Sequence, residues 1–146
     1  MEQTINSTRF GALSFDPAYD GFEAQIDFGG QSIKLCLSAP TEMEAALRLA
    51  RAEAMAVDEA GWLARLKDKA ADDLLDISNE WNEDQDDWTG PIDSAAFIAR
   101  ITLKSLVFHE DDLFQAYFDD GDLFWGHSIL VRGSMAEGPK GAETAG

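Results

Sequence analysis

The chain has 146 residues, 45% of them hydrophobic and 10% aromatic, which suits one ordinary domain with a core and is too apolar for a disordered chain. Its 28 acidic and 11 basic residues give a net charge of −17, a field that repels nucleic acid and anionic membranes and attracts basic proteins. A single cysteine excludes an internal disulfide, no apolar run approaches the roughly 20 residues that span a bilayer, and Met1 to Phe10 lacks a basic-then-apolar leader, so the expected location is cytoplasmic.

Phe10 to Phe15 reads as a first strand, followed by the turn-forming run Asp16-Pro17-Ala18-Tyr19-Asp20-Gly21. Phe22, Ala24, Ile26 and Phe28 then alternate with Glu23, Gln25 and Asp27, the period of a strand with one dry face. Gly29-Gly30 predicts a tight hairpin, and Ile33, Leu35 and Leu37 continue the alternation on the return. Cys36 falls in that apolar run and reads as a small core residue.

After Pro40, Thr41 and Glu44 form a capping box that starts a helix, with Met43, Leu47, Ala50 and Ala54 on one face. A second helix begins near Asp58 and carries the stripe Leu63, Leu66, Ala70, Leu74, Ile77 and Trp81. The interruption from Val57 to Gly61 is a turn or a kink. Residues 82–92 read as a loop, and Asp93 or Ser94 can cap a short third helix through Phe97 and Ile98.

From Ile101 the period returns to two, with Ile101, Leu103 and Ser105 on one face and Thr102 and Lys104 on the other. His109 to Asp112 is a polar turn and Leu113 to Phe118 a strand. Asp119-Asp120-Gly121-Asp122 makes a hairpin turn of type I′, and Leu123 to Val131 is the returning strand. Residues 133–146 are rich in Gly and Pro and read as a disordered tail. The expectation is therefore an α+β domain over residues 1–132. Its order is βββ-αα(α)-βββ, with antiparallel sheet from two three-stranded meanders packed against two or three central helices.

The charge is unevenly placed. Residues 70–99 hold nine acids and residues 105–131 six, with no Lys or Arg in either segment; the rest of the chain has 13 acids against 11 basic residues. Solubility alone would spread acid over the whole surface. Acid concentrated beside aromatics suits an interface for a basic partner, in which Trp gives anchor area and carboxylates give steering. The partner-facing candidates are Trp81, Glu83, Asp84, Asp86, Asp87, Trp88, Asp119, Asp120, Asp122, Trp125 and His127. Competing with this is a solvated loop whose tryptophans tuck into the core.

No nucleophile motif, phosphate loop or zinc pattern is present. The run from Asp84 fails the EF-hand pattern, which needs Gly at position six and Glu at twelve, where Thr89 and Ala95 stand. No enzyme activity, metal or cofactor is expected. His127 reads as a structural histidine.

The stretch Tyr117-Phe118-Asp119-Asp120-Gly121-Asp122-Leu123-Phe124-Trp125-Gly126-His127-Ser128-Ile129 resembles the end of a family of small acidic bacterial proteins of unknown function, marked by a hairpin reading Asp-Gly-Asp-x-Phe-x-Gly-His-x-Ile. Phe10-Gly11-x-Leu13 and Phe97-Ile98-Ala99-Arg100-Ile101 are similar too, so the likeness covers about residues 9–132. The resemblance implies a stand-alone α+β domain without catalytic residues, of a type similar to immunity proteins that neutralise bacterial toxins. The expected partner is accordingly a basic protein, a candidate toxin domain, with no nucleic acid or membrane; the protein itself is expected as a monomer or homodimer.

Overall fold

The computed structural model describes residues 3–145. Four strands come first: β1 (Thr4–Ser7), β2 (Gly11–Asp16), β3 (Gly21–Phe28) and β4 (Gln31–Ser38). Three helices follow, α1 (Glu42–Ala56), α2 (Glu59–Asn82) and α3 (Ser94–Arg100). The chain closes with β5 (Thr102–Phe108), β6 (Leu113–Asp119), β7 (Ser128–Ser134) and β8 (Gly138–Ala145). The α+β class expected from the sequence holds, but its arrangement differs. All eight strands form one sheet in the order β1-β2-β3-β4-β5-β6-β7-β8. Every neighbouring pair is antiparallel except β4–β5. The helices are thus the crossover that a parallel pair requires.

Two strands escaped the sequence reading. β1 holds one large apolar residue, Ile5, so it has no alternation to read. β8 lies where a disordered tail was expected; only Gly146 of that tail is outside the described residues. Its small and polar side chains carry no period. It is a strand because its backbone pairs with β7, Ser128 opposite Ala145 through Ser134 opposite Gly138, while Asp73 of α2 accepts the Ala142 N–H at 2.8 Å.

The β3–β4 hairpin is as the alternation predicts. Gly29 and Gly30 have φ of 57° and 82°, and Phe28 pairs with Gln31. Phe22, Ile26 and Phe28 with Ile33, Leu35 and Leu37 face the core. Cys36 lies on the opposite face and is half-buried, so it is not a core residue. Burial pushes its thiol pKa up, against a smaller opposing pull from Lys34. A raised pKa means less thiolate at any given pH. Alkylation of Cys36 by iodoacetamide near pH 8.5 should therefore be several-fold slower in the folded protein than in urea, and equal rates would refute it.

The cap of α1 is as expected, Thr41 Oγ1 accepting the Glu44 N–H at 3.2 Å. Its face is not. Met43, Leu47, Ala50 and Ala54 are exposed, whereas Ala45, Arg48, Leu49, Ala52, Met55 and Ala56 are buried. Alanine surrounds this helix, and an arginine stands in the middle of the buried face, so periodicity favoured the wrong side. Asp58 caps α2 as a separate helix, accepting the Gly61 N–H at 3.1 Å. Within α2 the expected stripe holds at Leu66, Ala70 and Leu74, while Ile77 is exposed. In β5 a register shift between Leu103 and Ser105 moves the buried set to Leu103, Leu106 and Phe108.

Candidate functional site

The end of α2, the loop after it, α3 and the β6–β7 connection meet at one end of the molecule. Asn79 fixes the loop: its Nδ2 donates to the Ile92 carbonyl at 3.1 Å and its Oδ1 accepts the Ile92 N–H at 2.9 Å. One turn on, Asn82 Nδ2 donates to the Leu123 carbonyl at 2.7 Å and so ties α2 to the β6–β7 connection. Asp93 caps α3, accepting the Ala96 N–H at 2.9 Å, and Arg100 at the far end of that helix donates to the Gly121 carbonyl. Gly121 has φ of 55°, and a Cβ there would collide with the Arg100 carbonyl oxygen, so only glycine fits this contact.

The β6–β7 connection is not the tight hairpin the Asp-Gly pair suggests. Residues Asp120 to His127 form a loop, and the returning strand starts only at Ser128. Asp120 organises it. Its Oδ1 accepts the Asp122 N–H at 3.1 Å, and its Oδ2 accepts Phe124 N–H at 2.9 Å and Gly126 N–H at 3.0 Å. Asp120 is 3% exposed. A residue expected to face a partner is therefore a buried scaffold, because three backbone donors need its carboxylate.

The loop so held buries one aromatic ring and exposes the next. Phe124 and Leu123 are buried, and Trp125, at φ of 58°, turns outward. Trp81 is half-buried and packs edge-on against Phe124 at 5.3 Å and His127 at 5.7 Å. Its third neighbour is the tilted ring of Trp125, also at 5.3 Å. Trp81 supports the surface more than it forms it, and half-buried His127 is the end of the same stack. Trp88 and Trp125 stay open, at 37% and 60% exposure.

Two of the sequence-expected acids join those rings. Asp87 and Trp88 of the loop and Asp122 and Trp125 of the β6–β7 connection line one depression of about 390 Å³, floored by Asn79 and Asn82 and bordered by Arg100. Glu83, Asp84 and Asp86 are exposed on the same loop. Asp119 and Asp122 share a smaller depression of about 300 Å³ with His127, and Lys104 lies 3.9 Å from Asp119 across it. The acid-rich segments, distant in sequence, thus adjoin in space. Sequence reasoning missed Asn79, Asn82, Phe124 and Arg100, whose roles depend on a loop closure that no local pattern signals.

Among the described residues no group of three His, Cys, Asp or Glu side chains could hold a metal ion. No helix among them is long and apolar enough to cross a membrane.

A family model described as an uncharacterized protein conserved in bacteria (DUF2262) matches residues 7–144. Comparison with curated proteins and with solved structures gave no match.

Proposed function

The chain belongs to that bacterial family, and from this premise we propose that it is an acidic binding protein that neutralises a basic bacterial toxin domain, in the manner of an immunity protein, in the cytoplasm. The observation that carries the reading is the joining of Asp87, Trp88, Asp122 and Trp125 around one depression, with Glu83, Asp84 and Asp86 exposed on the same loop. Acid on this surface steers a cationic partner, and the two open indoles give it anchor area. The backbone on both sides of the depression is held by Asn79, Asn82 and Asp120 beforehand, which lowers the ordering entropy lost on binding.

The test is capture from lysate of the host bacterium. The wild-type chain should retain a basic protein at low salt and release it as salt rises. The double variant Trp88→Ala/Trp125→Ala should lose about 2 kcal/mol or more, roughly 30-fold in affinity, for that same protein. Equal capture by the variant, or capture independent of salt, would sink the proposal.

One observation favours a second reading, a regulatory or housekeeping domain that pairs with itself. Met43 and Leu47 on α1 and Val57 at its C-cap form an exposed apolar line. A second copy can approach there without opposing the two acid-rich segments. Light scattering separates the cases: a dimer that Leu47→Glu converts to monomer supports pairing.

A further inference from the structure

The polar groups around the acidic aromatic depression differ in how far the fold already engages them. Asn79 has both ends of its amide bonded to Ile92. Asn82 does not. Its Nδ2 donates to two carbonyls, those of Ser78 and Leu123, each at 2.7 Å, which uses both N–H groups and fixes which end of the amide is nitrogen. Its Oδ1 is left without a donor among the described residues. Nor is that oxygen sealed in, because the one side-chain polar atom among them that is both buried and unpartnered is Arg48 Nε.

The carboxylates of Asp87 and Asp122 line the same depression, are exposed, and enter no ion pair among the described residues. Arg100 at the rim donates to the Gly121 carbonyl and lies beyond ion-pair distance of both. Two carboxylates thus stand against one guanidinium, and the exposed acids of the adjoining loop add to the excess. Trp125 supplies a flat surface beside them. Its φ of 58° is uncommon for a bulky residue, and Asp120 holds it by accepting the N–H groups of Phe124 and Gly126 on either side, so that the indole stays open.

Open acceptors with an excess of negative charge select a cationic donor, and a flat ring beside them favours a planar one. A guanidinium has five N–H donors and a face that stacks on an indole; an ammonium has three donors and no plane. We infer that this depression receives one arginine side chain of the basic partner, its N–H groups on Asp87, Asp122 and the Asn82 Oδ1 and its plane on the Trp125 indole, a refinement that rests on this surface being the partner-facing one.

The test follows the Trp125 indole N–H resonance of the ¹⁵N-labelled full chain, titrated with N-acetyl-argininamide, N-acetyl-lysinamide and uncharged N-acetyl-norleucinamide at matched ionic strength. A saturable shift with the arginine probe is expected, with a Kd at least about three-fold lower than for the lysine probe, and none with norleucine. Asp87→Asn/Asp122→Asn should weaken the arginine probe at least about five-fold, and so should Trp125→Ala, read on backbone amides of the β6–β7 connection. Glu83→Gln/Asp84→Asn removes the same charge from the adjoining loop and should weaken it less than about two-fold. Equal losses in the two double variants would reveal a diffuse field in place of a site and overturn the inference. So would lysine binding as tightly as arginine, or an equal shift with norleucine. An arginine probe that saturates on a chain capturing no basic protein from lysate supports this site and sinks the toxin reading. Salt-dependent capture of a basic protein by a chain on which the arginine probe does not saturate overturns this inference alone.

Discussion

Asp120→Ala should lower the stability of the protein by roughly 3 kcal/mol in urea unfolding, a large share of the total for a domain of this size. The carboxylate is buried and accepts three backbone N–H groups, from Asp122, Phe124 and Gly126. Alanine offers none of those donors an acceptor and leaves a site too small and too polar to collapse well. Asp120→Asn keeps one acceptor oxygen and should fall between the two. Amide exchange should report the same change locally, with Phe124 and Gly126 N–H groups losing protection first. A loss below about 0.5 kcal/mol would show that water can replace the carboxylate and that the loop is not organised by it.

Phe124→Ala should cost about 3–5 kcal/mol, the range for emptying a phenylalanine site in a packed core. Phe124 is fully buried, with the Trp81 ring at 5.3 Å on one side and Phe97 at 6.5 Å on another. Its removal undercuts Trp81, so tryptophan emission should move to longer wavelength in the folded variant. Trp125→Ala is the informative contrast. That ring is the most open of the aromatic group, and its loss should change stability by no more than about 0.5 kcal/mol. A Trp125→Ala protein as destabilised as Phe124→Ala would make the exposed indole a structural part and remove it from any interface.

The elements legible in the sequence were those with long, two-sided patterns. Seven residues of alternation from Phe22 to Phe28 and the Gly29-Gly30 pair left one solution for that hairpin, and Thr41 with Glu44 fixed the start of α1. The face of α1 was lost because alanines make both sides acceptable and the buried position 48 is charged. β1 and β8 were hidden because their existence depends on backbone pairing with a neighbour, which small and polar side chains do not announce. The β6–β7 loop was misread for a related reason. Asp-Gly signals a turn, but the loop length is set by which N–H groups Asp120 can reach. The acidic segments were visible from composition; that Asp87 and Asp122 border one depression depends on Asn79 and Asn82, and nothing local encodes those bonds.

The single parallel pairing, Leu35 opposite Leu106 and Leu37 opposite Phe108, has a kinetic consequence. On either side of it, every strand pairs with the next one in the chain, so four-stranded halves can form by short hairpin closures in microseconds. The join between them closes a loop containing all three helices, and its entropy must be met before any contact across β4–β5 repays it. Folding should therefore be limited by the zipping of this seam. Until it closes, the flanks of β4 and β5 are two open edges, and that interval is when the chain is most exposed to pairing with another copy of itself.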